Sequence, residues 1–297
     1  MRVHKSFKQQ ARRLVKKQTT PGLKNHSLGS ARNYSSKLAK IGYWCNSAYK
    51  INKLDDITPK MANEFLFEKA ETLSQSTLDQ YRQSLKHLTT RKKSKLYKFE
   101  FIRIKSKLHT VLKTRSYIPE QIELICRAQM PNNALATRIC VAAGIRAHEL
   151  LTIRPLSERK PDERNWNAHL FIGKENWHRY TVIGKGGLVR EIRLPTELAS
   201  ELEQGKLSNP ITITDRDIRY SMYYINLGGG QSWSSSFSRA SKRQLGWSNG
   251  AHGTRHTYVQ KRMAELQHMG YSYKDARLIT SQEIGHHRPD IINVYLR

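Results

Sequence analysis

The spacing of apolar residues changes twice along this chain, and this limits the folds that it can adopt. Between residues 27 and 151 apolar side chains recur every three or four positions, the period of an amphipathic helix. Between residues 169 and 194 they alternate with polar residues, as in a half-buried strand. The helical period returns between residues 252 and 295. These changes predict a mostly α-helical protein with a small antiparallel β-sheet in its second half.

Local signals predict where some helices begin and end. Thr58–Pro59 is a helix start, because proline lacks the N–H group that the first helical turn leaves unpaired. Ser76–Asp79 resembles a capping box, in which a hydroxyl and an acid three residues later bind the free N–H groups of a new helix. A further helix is predicted over residues 135–151, interrupted at Gly144.

Three short strands are predicted in the middle of the chain, at residues 169–173, 180–183 and 189–194. A tight turn at Lys185–Gly187 joins the last two, because its glycines tolerate the backbone angles of a hairpin. Residues 205–250 show no clear period, so no element is predicted there.

The positive charge of the chain is its strongest global property. Lys and Arg number 52 against 24 Asp and Glu, which gives a net charge of +28. A positive field of this strength attracts polyanions, of which nucleic acid is the commonest. The alternatives are a protein that binds an anionic membrane and a basic protein that has no polyanionic partner.

The charge is distributed unevenly: residues 1–114 carry +19 and residues 115–297 carry +9. We therefore predict a basic helical DNA-binding domain over residues 1–114, whose residues 1–20 form a helix or a flexible arm. Residues 115–297 form a second domain with a more specialised task.

Basic and apolar residues are interleaved near the end of the first domain. Arg91, Lys92, Lys93 and Lys95 begin this run, which continues to Lys113 and is interleaved with Phe and Ile residues. A strand or helix with one face on the core and the other on a phosphate backbone has this composition, whereas a solvated linker is the alternative. We predict that Arg91, Lys92, Lys93 and Lys95 contact DNA.

The cysteines indicate neither a disulfide framework nor a zinc site. Cys45, Cys126 and Cys140 are odd in number and lack a CxxC spacing, which is typical of buried thiols in a reducing cytoplasm. No apolar run reaches the ~18 residues of a membrane helix, and the basic N-terminus lacks the apolar segment of a secretion signal. We therefore expect a cytoplasmic protein without a bound metal.

Six residues in the second domain occur in a recognisable order. They are Arg146 with Glu149 three residues later, Lys185 between glycines, His252 and Arg255 in a His-x-x-Arg motif, His286 after Gly285, and Tyr295. Singly, each is an ordinary surface or core residue. Together they resemble the signature of the tyrosine recombinase, or phage integrase, family: Arg, Lys, His-x-x-Arg, His and Tyr. The resemblance covers residues 116–297, whereas the helical N-terminal part matches the family's core-binding domain only in kind.

The resemblance implies a two-domain clamp on duplex DNA, in which residues 115–297 form the catalytic domain. Tyr295 would attack phosphorus and hold the 3′ end covalently, so that the bond energy is kept for rejoining. Arg146 and Arg255 would bind the two non-bridging phosphate oxygens through their planar sets of donors, in place of a metal.

The remaining roles are also implied by the resemblance. His252 would take the tyrosine proton, and His286 would donate to a phosphate oxygen. Lys185, on its turn, would protonate the leaving 5′ oxygen, while Glu149 would support Arg146 without reacting.

The resemblance further implies partners and setting. Four protomers would act on two double-stranded DNA sites, with accessory DNA-bending factors as further partners and no cofactor. The bacterial nucleoid is the expected location, and a mobile genetic element the expected source. Phage integration, transposition and replicon resolution are all compatible with this resemblance.

The chain departs from the family pattern in three places. Thr254 stands where the family prefers leucine, and His287 competes with His286, although the spacing to Tyr295 favours His286. Only two residues follow Tyr295, whereas many relatives carry a further C-terminal helix that docks on a neighbouring subunit. Either the chain is truncated or its assembly uses other contacts.

Three other functions are alternatives to this one. His252 and His256 are spaced as zinc ligands on a helix can be, but the acid of His-Glu-x-x-His is missing and Arg255 would repel the cation. A type IB topoisomerase shares the phosphotyrosine chemistry, but the small size and paired layout favour a recombinase. A non-catalytic DNA-binding protein is the third alternative, against which the complete set of six residues argues.

Overall fold

Helices build the first of two compact units. The computed structural model describes residues 6–18, 28–109 and 114–297. The units are Met1–Val111 and Leu112–Arg297. In its described residues the first unit contains α1 (Phe7–Gln18), α2 (Leu28–Tyr49), a 3₁₀ helix (Leu54–Asp56), α3 (Pro59–Ala70) and α4 (Gln75–Thr89).

Helix α1 decides between the two alternatives for the N-terminal segment. Its buried residues are Phe7, Ala11, Leu14 and Val15. Because these positions are spaced three or four apart along most of the helix, they form one apolar face, and that face joins the core of the unit. Residues 7–18 are therefore a helix and not a flexible arm, while residues 1–5 and 19–27 lie outside the described residues.

Of the two predicted helix starts in this unit, one is confirmed and one is wrong. The Thr58 hydroxyl accepts a hydrogen bond from the Met61 N–H at 3.3 Å and caps α3 as predicted. Helix α4 begins one residue before Ser76, so Ser76 is not its cap. The acid of the supposed capping box, Asp79, is instead paired with Arg103 at 3.0 Å.

The basic segment after α4 is irregular, so the predicted strand or helix is wrong. Its backbone N–H groups bind carbonyls elsewhere: Lys95 N–H donates to Asp55, Lys98 N–H to Thr89 and Lys107 N–H to Ala70. The predicted division into two sides is nevertheless present. The buried apolar residues of the segment are Leu96, Phe101 and Ile104, and its exposed cations include Lys92, Lys93 and Lys95.

The second unit is a helical body with two small sheets. Its helices are α5 (Pro119–Arg127), α6 (Pro131–Ala143), α7 (Thr196–Glu203), α8 (Gly230–Leu245), α9 (Gly253–His268) and α10 (Tyr273–Glu283). Its strands are β1 (Arg154–Pro155), β2 (His178–Ile183), β3 (Val189–Leu194), β4 (Lys206–Asp215) and β5 (Ile218–Tyr224). Short 3₁₀ helices lie at Glu149–Thr152, Lys185–Gly187 and Pro289–Val294. The predicted mostly helical fold with a small antiparallel sheet is confirmed.

The three-stranded sheet has the antiparallel order β1-β2-β3, with Val182 opposite Arg190. Two predicted strands and the turn at Lys185–Gly187 are confirmed. The third predicted strand, at residues 169–173, is wrong, because these residues form turns. Phe171 takes a left-handed conformation there, with φ 63°, and its N–H donates to the Glu283 carboxylate at 3.0 Å.

Two further differences concern the elements around the site. The helix predicted over residues 135–151 ends at Gly144, which has φ 59° and closes α6. The β4–β5 hairpin lies in the region for which no element was predicted, and its turn uses Arg216 and Asp217 at positive φ without glycine.

Two apolar clusters hold the second unit together. The larger contains Trp233, Phe237 and Ile139, all 1% exposed or less. The smaller packs α9 against α10 through residues such as Val259 and Ile279, and it includes Tyr295. Among the described residues, no helix combines the length and apolar character needed to cross a bilayer.

Candidate active site

Gly144 turns the chain out of α6 and brings Arg146 to the site. A Cβ atom on Gly144 would lie 2.4 Å from the Tyr258 ring, and the left-handed backbone is strained for other residues. Ile145 is buried after this turn, while the Arg146 side chain stays 19% exposed. Arg146 can therefore reach a bound group from a fixed backbone.

Glu149 holds Arg146 at two points. Its carboxylate accepts hydrogen bonds from the Arg146 N–H at 2.8 Å and from an Arg146 guanidinium nitrogen at 2.7 Å. Arg190 of β3 donates to the same carboxylate at 2.8 Å. Burial alone would raise the pKa of Glu149, but Arg190, Arg255 and Arg146 outweigh it and lower the pKa to about 2. The carboxylate is thus ionised although it is fully buried.

Helix α9 places Arg255 at the centre of the site. Arg255 is 0% exposed, and its two terminal nitrogens donate to the backbone carbonyls of Gly144 and Ile284. These bonds tie the ends of α6 and α10 to α9. The departure at Thr254 is accommodated locally, because its hydroxyl donates to the Ala251 carbonyl at 2.8 Å.

Tyr295 follows the last 3₁₀ helix and points its hydroxyl at Arg255. The distance from Arg255 Nε to the Tyr295 oxygen is 3.3 Å, and Tyr295 is 6% exposed. Its ring centroid lies 5.8 Å from that of His252 and 4.8 Å from that of His256. Gln260 Nε2 donates to the Tyr295 carbonyl at 2.9 Å, which fixes its backbone.

The geometry distinguishes His286 from His287. His286 Nε2 lies 2.9 Å from an Arg146 nitrogen, whereas His287 lies beside Arg164 and Trp166. Because a guanidinium can only donate, Nε2 of His286 accepts this bond and a neutral ring carries its proton on Nδ1. His286 is therefore the histidine that joins the site.

Three histidines around the site have lowered pKa values. Burial, followed by Arg255, lowers the pKa of His252 and of His286 to about 4. Burial and then Arg115 lower the pKa of His256 to about 4. All three are therefore neutral at pH 7, and their lowered pKa values make them weak bases.

Lys185 lies on the edge of this arrangement. It is exposed on the turn between β2 and β3 and, among the described residues, takes part in no ion pair. The base of the turn is close to the site: a Cβ on Gly184 would lie 3.2 Å from a Glu149 oxygen and 3.9 Å from an Arg146 nitrogen. The structure thus brings Arg146, Glu149 and four further residues (His252, Arg255, His286 and Tyr295) together, with Lys185 on an adjacent loop.

Some residues that build the site were not predicted from the sequence. They are Arg190, Glu283 and Arg262, which form a buried charge network beneath the site together with the predicted Glu149. Arg190 donates to Glu149 and to the Glu283 carbonyl at 2.7 Å, and Arg262 binds the Glu283 carboxylate at 2.9 Å. Charged residues are usually exposed, so only the inward-facing alternation of Arg190 with Ile192 and Leu194 signalled its burial.

The predicted DNA contacts lie in the first unit and differ in their surroundings. Arg91 is bound to Asp55 through two hydrogen bonds of 2.9 Å. Lys92, Lys93 and Lys95 are exposed. No three His, Cys, Asp or Glu side chains in the described ranges are arranged to hold a metal ion.

The structure is similar to those of several recombinases. It resembles the XerH site-specific recombinase bound to its difH substrate in a pre-cleavage complex, with a TM-score of 0.56, 20% identity, and 98% of this chain and 80% of that chain covered. It also resembles a lambda integrase tetramer bound to a Holliday junction, with a TM-score of 0.60, 16% identity, and 99% and 78% covered. A lambda integrase dimer on a COC′ core site gives a TM-score of 0.59 at 16% identity, with 96% and 93% covered. Comparison with protein-family models and with curated sequences gave no match. The chain therefore has the tyrosine recombinase fold, as the motif resemblance predicted.

Proposed function

We propose that this chain is a site-specific DNA recombinase that cuts and rejoins DNA through a covalent link at Tyr295. The observation that carries the proposal is the contact between Arg255 and the Tyr295 hydroxyl at 3.3 Å, inside a site that also holds Arg146 and two neutral histidines. A cation beside a phenol oxygen favours the negative charge that develops when the oxygen loses its proton.

Cleavage proceeds by exchange of one ester for another. The Tyr295 oxygen attacks phosphorus, the bond to the 5′ oxygen breaks, and the DNA 3′ end remains attached as a phosphotyrosine. His252, which is neutral at pH 7, accepts the phenol proton as the Tyr295 oxygen bonds to phosphorus. Lys185 gives a proton to the leaving 5′ oxygen. Attack by a 5′ hydroxyl from the other strand reverses the steps and completes strand exchange.

The arginines supply the positive charge for the phosphate. Three of the five N–H groups of Arg255 bind Tyr295 and two backbone carbonyls, so its charge is held beside the Tyr295 oxygen. Arg146 is partly exposed and already oriented by Glu149. His286 lies beside Arg146 and contacts the same phosphate. This charge does the work that a metal ion performs in other nucleases, so the reaction is metal-independent.

Duplex DNA is the proposed partner of both units. The unit that carries Lys92, Lys93 and Lys95 holds the larger share of the +28 net charge, as a phosphate-binding module requires. The similar lambda integrase structure is a tetramer on a Holliday junction. We propose the same arrangement here, with four protomers on two sites, the N-terminal 114 residues as the DNA-binding domain and the remainder as the catalytic domain.

Covalent capture tests the proposal directly. The substrate is a pool of nicked duplexes with randomised sequence beside the nick, from which the short fragment with the 5′ hydroxyl diffuses away after cleavage. The native chain is expected to form an adduct that survives denaturing electrophoresis, also in excess EDTA. Tyr295→Phe should bind the pool equally well but form no adduct, whereas Tyr273→Phe, which changes an exposed tyrosine, should behave as the native chain.

Each of the other possible results of this experiment would support a different function or mechanism. Binding without an adduct by the native chain would indicate a non-catalytic DNA-binding protein. An adduct that persists in Tyr295→Phe would move the nucleophile elsewhere, and loss of the adduct in EDTA would exclude the metal-free mechanism. An adduct on single duplexes without any strand exchange would indicate a topoisomerase.

A further inference from the structure

A cavity of about 390 Å³ opens in the second unit beside α6, α7 and α9. This volume lies in the range of small-molecule sites. Much of its wall is apolar, with Val141 of α6, Leu198 of α7 and Trp177 before β2. The proposed recombination chemistry makes no use of it.

Lys174 brings a buried ammonium group to this wall. The residue is 6% exposed, and its Nζ atom donates to the Tyr258 hydroxyl at 3.3 Å. The same Nζ lies 4.6 Å from the centroid of the Tyr258 ring and 4.9 Å from that of Trp177. Of the three ammonium N–H groups, one has an oxygen acceptor among the described residues, the Tyr258 hydroxyl, whereas the two aromatic faces attract the charge without supplying an oxygen.

The other cations that line the cavity already have carboxylate partners. Arg138 binds Glu201, and Arg262 binds Glu283, while Lys261 lies 3.8 Å from Glu265. Lys174 differs, because within the described ranges no carboxylate oxygen lies at ion-pair distance from its Nζ atom. Its link to a carboxylate is indirect, because the Tyr258 hydroxyl that accepts from Lys174 donates to Glu283 at 2.6 Å, whereas buried cations normally bind a carboxylate directly.

We propose that this cavity binds a small carboxylate with an apolar body, whose carboxylate pairs with Lys174 and whose body fills the space between Val141, Leu198 and Trp177. The single unpaired ammonium suits a monovalent anion better than a phosphate ester, which would recruit several donors. The largely apolar walls suit an aromatic ring. The inference stands apart from the recombinase proposal, because it uses none of the residues assigned to cleavage.

The charge of Lys174 provides a pH signature. Burial lowers the pKa of Lys174 to about 8, so the group is mostly protonated at pH 7. The charged groups that face it are Glu283 of α10 together with Lys261, Arg262 and Glu265 of α9; Arg193 of β3 binds its backbone carbonyl. Because the ligand needs the ammonium, carboxylate affinity should fall at least tenfold between pH 7 and pH 9.5, as Lys174 loses its proton.

The experiment is a calorimetric titration of the full chain with 2-naphthoate, and in parallel with 2-naphthalenemethanol, which has the same ring system without the charge. We expect saturable binding of naphthoate at pH 7 and at least tenfold weaker binding of the alcohol. Lys174→Met keeps the apolar stem and should weaken naphthoate binding at least tenfold, as should Ala142→Phe, which fills the cavity. Lys242→Met, which changes an exposed lysine of α8, should leave the affinity unchanged.

Several results would overturn the proposal. These are the absence of saturable naphthoate binding by the native chain, equal affinity for the alcohol, or unchanged affinity in a folded Lys174→Met. If Lys174→Met does not fold, the comparison of the two ligands and the pH series on the native chain decide the question. Affinity that is constant from pH 7 to pH 9.5 would then count against Lys174 as the partner.

Discussion

The Nε atom of Arg255 donates a hydrogen bond to the hydroxyl of Tyr295 across 3.3 Å, although the two residues lie 40 positions apart. The terminal nitrogens of the same guanidinium bind the carbonyls of Gly144 and Ile284. One buried side chain therefore sets the position of the proposed nucleophile relative to the ends of two helices.

The first prediction concerns Lys185 as the proton donor. A proton is needed only while the leaving group is a poor one, and replacing the bridging 5′ oxygen by sulfur removes the need because a thiolate is a stable anion. Lys185→Ala should cleave normal DNA slower by roughly 10²–10⁴-fold and regain most of its rate on the sulfur-substituted strand. Single-turnover cleavage rates on the two strands measure the effect.

Two comparisons control this experiment. Arg146→Ala removes charge rather than a proton, so sulfur should not restore its rate. Lys274→Ala, which changes an exposed lysine of α10, should be fully active on both strands. Equal rescue of the Lys185 and Arg146 variants, or full activity of Lys185→Ala on normal DNA, would remove Lys185 from the mechanism.

The second prediction separates the lysines of the basic segment from Arg91. Replacing Lys92, Lys93 and Lys95 together by Ala should reduce the slope of log affinity for duplex DNA against log salt, by up to about 0.9 for each lost phosphate contact. Arg91→Ala should change the slope less, because its guanidinium is bound to Asp55. Binding isotherms at several salt concentrations give the slopes.

A triple variant with the same loss of charge is the control. Lys40, Lys53 and Lys60 are exposed in the same unit, and their replacement by Ala should leave the slope closer to that of the native chain. If the slope of log affinity against log salt decreases equally in both triple variants, the charge acts as a diffuse field and not through a local contact.

The third prediction concerns acid stability. Glu149 has a pKa of about 2 in the folded chain, compared with 4.5 as its ordinary value. The folded state is therefore favoured above pH 4.5, and this contribution of roughly 3 kcal/mol is lost as the pH falls towards 2. Glu149→Gln should be less stable at pH 7 by about 3–5 kcal/mol, because it leaves buried arginines without their partner.

The stability difference between the native chain and Glu149→Gln should narrow as the pH is lowered. Urea unfolding followed by circular dichroism between pH 7 and pH 3 measures it. Two curves that stay parallel over this range would show that Glu149 does not carry the charge assigned to it.

The fourth prediction concerns the histidines of the free protein. The pKa values of His252 and His286 are about 4, so neither imidazole should take up a proton near pH 6.5. Because protonation is easier in the unfolded chain, these residues destabilise the fold as the pH falls from 6.5 towards 4. NMR follows the chemical shifts of the imidazole C–H protons as the pH is lowered, and the variants His252→Gln and His286→Gln assign the signals. These chemical shifts should change only as the pH approaches 4. A midpoint near 6.5 for either residue would contradict the lowered pKa.

Much of the fold could be predicted because it depends on residues that are close together in the sequence. Thr58 caps α3 and the turn at Lys185–Gly187 joins β2 to β3, because each depends on residues within a few positions. The residues that form the site were also predicted together, since their order in the chain resembles a known motif. Their functional roles stay predictions until the assays above are made.

The parts that were missed depend on partners distant in sequence. Phe171 looked like the middle of a strand, but the Glu283 carboxylate accepts its N–H and holds it in a turn. The β4–β5 hairpin turns at Arg216 and Asp217, which lack the glycine that usually signals such a turn. The burial of Arg190 was not predicted, because its two partners come from other parts of the chain.

The pairing of Arg190 with Glu149 also limits the order in which the sequence can evolve. Loss of either residue alone strands a buried charge at a cost of about 3–5 kcal/mol, which is a large share of the stability of an ordinary domain. A matched apolar pair would avoid this cost but would leave Arg146 without Glu149, and every route to it through single substitutions passes through a poorly folded intermediate. The two positions should therefore drift together, and a library that randomises them jointly should yield folded combinations that separate libraries miss.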